Sequence, residues 1–76
     1  MNQFNTLEEV GNYLKSIGYE DVTVYKRGLT VKKNWSMATV CKDHSTWHVD
    51  VSLDQSGYDY YVDDLQEVVH IIIKHI

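Results

Sequence analysis

Proline is missing from all 76 residues, so slow prolyl isomerisation cannot limit folding. Cysteine occurs once, at Cys41, which excludes an intrachain disulfide. A secreted domain this small normally needs such staples, so a reducing cytoplasmic setting is expected. Long apolar runs are also missing, and no stretch approaches the roughly 20 residues that cross a bilayer. The opening MNQFNTLEEVG has neither the basic start nor the unbroken apolar segment of a leader, which predicts a soluble protein with no membrane partner.

Charge is scarce in a patterned way. Residues 22–42 hold Lys26, Arg27, Lys32, Lys33 and Lys42 without one acid. Residues 43–76 hold Asp43, Asp50, Asp54, Asp59, Asp63, Asp64 and Glu67 against Lys74 alone. With Glu8, Glu9, Glu20 and Asp21 set against Lys15 in the first 21, the three blocks carry −3, +5 and −6 and make the net −4. A dipolar molecule with a basic middle and an acidic end is expected. Hydrophobic residues at 43% and charged residues at 24% fit one folded domain over residues 1–76 rather than a disordered chain.

Thr6 followed by Glu9 is a capping box, which starts a helix over about residues 6–17. Leu7, Val10, Leu14 and Ile17 form its apolar stripe, and Gly18 supplies the left-handed residue that ends it. VTVYK, LTVKK, WSMATVCK and TWHVDVSLD then read as strands, being rich in β-branched and aromatic residues. In the last of these Trp47, Val49, Val51 and Leu53 alternate with polar residues, as in a strand with one buried face. Arg27-Gly28 marks the first hairpin, with either a two-residue loop or a three-residue loop that leaves Gly28 left-handed. Residues 29–42 form one bent strand or two strands broken near Asn34.

A second helix is expected over about 60–75, with Val62, Leu65, Val68, Val69, Ile72, Ile73 and Ile76 in one stripe about 140° wide. The fold class is therefore α+β: a two-layer sandwich in which an antiparallel three- to four-stranded meander is flanked by an N-terminal and a C-terminal helix. Double-stranded-RNA-binding domains share this order of elements. Their last helix opens with lysines that grip phosphate, and here the same place reads DDLQE, so the likeness is one of order alone.

No motif here carries catalysis. Cys41, Asp43, His44, His48 and Asp50 cluster near a turn, but C-x2-H-x3-H matches no established zinc spacing, so no metal or cofactor is expected. A nucleophilic Cys41 has no fixed base or orienting group, and the chain is short for an enzyme, so a non-enzymatic role is expected. Lys26, Arg27, Lys32 and Lys33 decorate the first hairpin and could track a nucleic-acid backbone, an alternative that the overall acidity opposes.

In the stretch YDYYVDD at 58–64, Tyr61 and Val62 belong to the core stripe, and the rest is harder to account for by packing alone. On the helical projection Tyr60, Asp64, Glu67 and Ile71 fall together on the side away from the core, with Asp63 beside them and Tyr58 and Asp59 joining from the preceding loop. Tyrosine is enriched at protein interfaces and carboxylates steer toward basic surfaces, so these seven residues are the candidate partner-binding set. Acids at this position also complement the helix dipole. The expected function is a small acidic protein-interaction module, of the kind a phage or mobile element uses to inhibit a nucleic-acid-handling protein by occupying its basic surface. A homodimer through the second helix or an open sheet face is the other assembly the pattern allows.

Overall fold

A computed structural model describes residues 4–76. The first three residues, which open the stretch read above for a leader, lie outside the described residues. The elements run α1 (Leu7–Ser16), β1 (Asp21–Val24), β2 (Gly28–Lys33), β3 (Ser36–Asp43), β4 (Thr46–Ser52), β5 (Gly57–Val62) and α2 (Leu65–His75). The five strands form one antiparallel sheet in the order β1-β2-β3-β4-β5, each pairing with its neighbours in sequence. The α+β layout is as the sequence predicts, with one strand more.

Helix α1 begins and ends by local chemistry. The Thr6 hydroxyl accepts from the Glu9 N–H while the Glu9 carboxylate accepts from the Thr6 N–H, closing the capping box. At the other end the Gly18 N–H reaches the Lys15 carbonyl and the Tyr19 N–H reaches the Leu14 carbonyl, with Gly18 at φ 116°. This pair of bonds is a Schellman motif, and its usual apolar contact is between Leu14 and Tyr19, both buried. Ile17 falls on the C-cap and is exposed, so the expected stripe stops one turn early.

Partial burial of Tyr19 desolvates its phenolate and pushes its ionisation above the ordinary value of 10.0. The Lys33 ammonium sits 5.3 Å from the centre of the same ring. A raised folded pKa means that the unfolded chain loses its proton first, so the stabilisation is full below pH 10.0 and is lost as pH rises beyond it. Alkaline melts of Tyr19→Phe are expected to fall less steeply above pH 10 than those of the parent chain.

Inner and outer faces of the sheet are set by parity. Val22, Val31, Ala38, Val51 and Tyr58 form one cross-strand row, and Val24, Leu29, Val40, Val49 and Tyr60 form the next. These rows meet α1 over β1 and β2, and α2 over β4 and β5, while the helices touch each other. The core joins Val10 and Leu14 of α1 to Leu65, Val68, Val69, Ile71 and Ile72 of α2 across the inner face. Among the described residues no helix covers the outer face.

Two details depart from the sequence reading, and a third decides between the alternatives it left for residues 29–42. The first hairpin pairs Val24 with Leu29 and Val22 with Val31, and the Tyr25 N–H bonds the Gly28 carbonyl at 2.8 Å. The turn is therefore Lys26-Arg27, and Gly28 belongs to β2 without a left-handed backbone. Its lack of a side chain answers a different need, since a Cβ there would collide with the backbone carbonyl of Val40. Residues 29–42 are two strands, broken where Asn34 adopts φ 56°.

The second departure matters most for the site. Residues 57–62 form β5 and not the start of a helix, so α2 begins only at Leu65. Tyr61, expected in the core stripe, lies on the outer face at 64% exposure, and Ile73 is 46% exposed. Ile71, expected in water, is buried at 8%. Both corrections follow from the added strand. Ile71 and His75 lie four residues apart on one flank of α2, and His75 stacks on Tyr58 and reaches Tyr60, both on β5. That flank has a strand to cover it.

Candidate binding face

β5 divides the expected binding residues between two faces. Tyr58 and Tyr60 point to the helix side. The Tyr58 ring stacks on His75 at 5.0 Å between centroids, and the Tyr60 hydroxyl lies 2.7 Å from His75 Nε2. Tyr60 is half-buried against the core, whereas Tyr58 stays exposed. Asp59 points the other way, into the outer face, with its Oδ1 2.9 Å from His48 Nε2, which carries the proton in this contact.

The acids at the mouth of α2 have local duties. Asp64 is the N-cap and its Oδ1 accepts from the Glu67 N–H at 2.9 Å, while Glu67 Oε2 accepts from the Asp63 N–H at 3.1 Å. Aspartate is a favoured N-cap, and Glu67 reaches back one residue beyond it, to Asp63, so the pair resembles a capping box without closing one. Asp63, Asp64 and Glu67 nonetheless remain exposed. Ile71, in the core, leaves the set, and the seven residues do not form a single patch on one helix.

Sequence reasoning passed over the outer face of β4 and β5. Cross-strand pairs on that face are His48 with Tyr61 and Asp50 with Asp59. The His48 and Tyr61 rings stack at 4.7 Å and 11°. Asp50 directly opposite Asp59 sets two carboxylates in the close, non-hydrogen-bonded kind of pair, whose Cα atoms are about 4.5 Å apart. Like charges so placed are destabilising. Asp50→Thr is expected to raise stability by about 0.5–1 kcal/mol in urea melts, through relief of that repulsion and the better strand propensity of threonine. The signal available beforehand was the alternation of GYDYYV, where Tyr58, Tyr60 and Val62 share one parity.

The other candidates are dispersed. Lys26 and Arg27 sit at the first turn, whereas Lys32 and Lys33 sit at the far end of β2, about 17 Å away along a strand. Lys32 pairs with Asp21 and Lys33 lies over Tyr19, so the four do not form a continuous basic ribbon. Cys41 is exposed on the outer face opposite His48. Together with Tyr25, Arg27, Gly28, Thr30 and Thr39 it borders an open hollow of ≈ 450 Å³ above the bare backbone of Gly28. Among the described residues no group of three or more His, Cys, Asp or Glu is placed to hold a metal ion, and no helix is long and apolar enough to cross a membrane.

Electrostatics divide the molecule in two. From Asp43 to Ile73, a stretch that includes β4, β5 and nearly all of α2, there are seven acids and no lysine or arginine. Among the described residues the only ion-pair contacts are His44 with Asp43 and His48 with Asp59, so no lysine or arginine neutralises a carboxylate. Comparison of the chain with family models, with curated proteins and with solved structures gives no match.

Proposed function

We propose that the protein is a small non-enzymatic interaction module whose β4–β5–α2 half docks on a basic protein surface. The observation that supports this reading is the run of seven acids left without a lysine or arginine partner, alongside the exposed Tyr58 and Tyr61. Tyrosine supplies rigid contact area and unneutralised carboxylates supply steering, the usual division of labour at a charged interface. An inhibitor that covers the basic groove of a nucleic-acid-handling protein, encoded by a phage or mobile element and acting in the cytoplasm, fits the small size and net −4 charge.

Nucleic-acid binding through the first hairpin is the weaker reading, because its two basic pairs are split and one faces Asp21. The test uses the exposed residues only, leaving Asp64, Glu67 and Ile71 in their structural roles. Capture followed by mass spectrometry is expected to recover a basic protein with the parent chain and to lose it with Asp59→Lys/Asp63→Lys, whose native fold circular dichroism checks. Binding of that protein should weaken as salt rises. Equal capture by both chains, or capture insensitive to salt, counts against the reading.

A further inference from the structure

The two edges of the sheet are not alike. β1 has four residues and lies against α1. β5 has six, paired with β4 in unbroken register, and contains no proline, lysine or bulge, the devices that usually blunt an edge. The Leu53 N–H bonds the Ser56 carbonyl at 2.8 Å and so fixes which later pairs exchange hydrogen bonds. They are Val51 with Tyr58, Val49 with Tyr60 and Trp47 with Val62. The backbone N–H and C=O groups of Gly57, Asp59 and Tyr61 consequently point to the open side. Among the described residues no loop or side chain bonds them.

We propose that this edge takes up an extended basic segment of a partner as a sixth strand, a mode of attachment that rests on the acidic docking reading above. Main-chain bonds to Gly57, Asp59 and Tyr61 would supply the grip, and side chains would supply the choice. On the outer face the cross-strand row Thr30, Thr39, Asp50, Asp59 ends at the edge, so the residue added beside Asp59 meets two carboxylates. Lysine or arginine belongs there. Two positions along, the added residue meets the exposed Tyr61 ring stacked on His48, which suits an arginine or aromatic side chain.

A second copy of this chain fits less well. Two-fold pairing centred on the edge sets Asp59 against Asp59, and it brings together two halves that each carry seven acids from Asp43 to Glu67. The charge that discourages self-addition is the charge that selects a basic strand.

The probes are capped octapeptides alternating threonine with arginine, the same peptide with glutamate for arginine, and the arginine peptide N-methylated on alternate residues. With the full chain, the arginine peptide is expected to slow amide exchange at Gly57, Asp59 and Tyr61 at least tenfold, without a comparable effect on β1. N-methylation, Asp59→Lys and Asp59→Pro should each weaken binding at least tenfold. The proline variant keeps the β4 ladder because the replaced N–H faces outward. Circular dichroism checks its fold, and Asp59→Lys carries the test should it not fold.

Equal binding of the N-methylated peptide, or unprotected edge amides at saturation, overturns strand addition while leaving acidic docking standing. Failure of the arginine peptide and of any basic protein to bind overturns both. Protection of the same three amides in a dimer without peptide assigns the edge to self-association and overturns the basic-strand proposal.

Discussion

Ile71→Lys is expected to cost about 3 kcal/mol or more, and Ile73→Lys, two residues on, about 0.5 kcal/mol or less. Ile71 is 8% exposed and belongs to the core, whereas Ile73 is 46% exposed. A lysine at 71 loses the aliphatic contacts of the flank that faces β5 and must draw its ammonium out to water past His75 and the tyrosines. A chain of this size has roughly 4–11 kcal/mol to lose, so the melting temperature should drop by about 12 °C or more. The paired measurement discriminates sharply, because a helix starting near residue 60 with nothing beside it implies the opposite order. Equal melting temperatures for the two variants would contradict the placement of β5.

Gly28→Val is expected to be the other severe change, at about 2–3 kcal/mol. The obstacle is backbone and not a movable side chain, since the added Cβ meets the carbonyl of Val40 where β2 and β3 are paired. Relief requires β2 and β3 to separate near Leu29 and Val40, both almost fully buried. Because Gly28 has no left-handed backbone, asparagine does not rescue this site as it should at Gly18, where φ is 116°. Chemical denaturation of Gly28→Val, Gly28→Asn, Gly18→Val and Gly18→Asn separates crowding from backbone strain. A mild Gly28→Asn would sink the crowding account.

The parts of the fold readable from sequence are those whose signals are local. Thr6, Glu9 and Gly18 announce α1 because caps depend on a few successive residues. TWHVDVSLD announces β4 because only one of its faces is covered. β5 was hidden by its position next to α2. Tyr61, Val62 and Leu65 extend the helical stripe of α2 by coincidence, so the 3.6-residue period overran the period of two that GYDYYV also contains. That one misreading turned Ile71 outward and Tyr61 inward.

The binding residues fared according to how much they depend on long-range pairing. Asp63, Asp64 and Glu67 are exposed where expected, since a helix mouth is a local object. The facing of Asp50 on Asp59, and of His48 on Tyr61, is a matter of register between strands, which no spacing along the chain reveals. Gly28 shows the same limit, because a turn and a close backbone approach both call for glycine.

Trp35, at the turn between β2 and β3, is 84% exposed, whereas Trp47 is half-buried with the Lys42 ammonium 4.5 Å from its ring. These two indoles are the only ones in the chain, so their fluorescence separates cleanly into a wet and a sheltered emitter. Unfolding must change the colour mainly through Trp47, and aqueous iodide must quench mainly Trp35. A ligand settling along β5 leaves the quenchable fraction as it was, and one that caps the opposite corner of the sheet hides it, so an unlabelled sample reports where it has been touched.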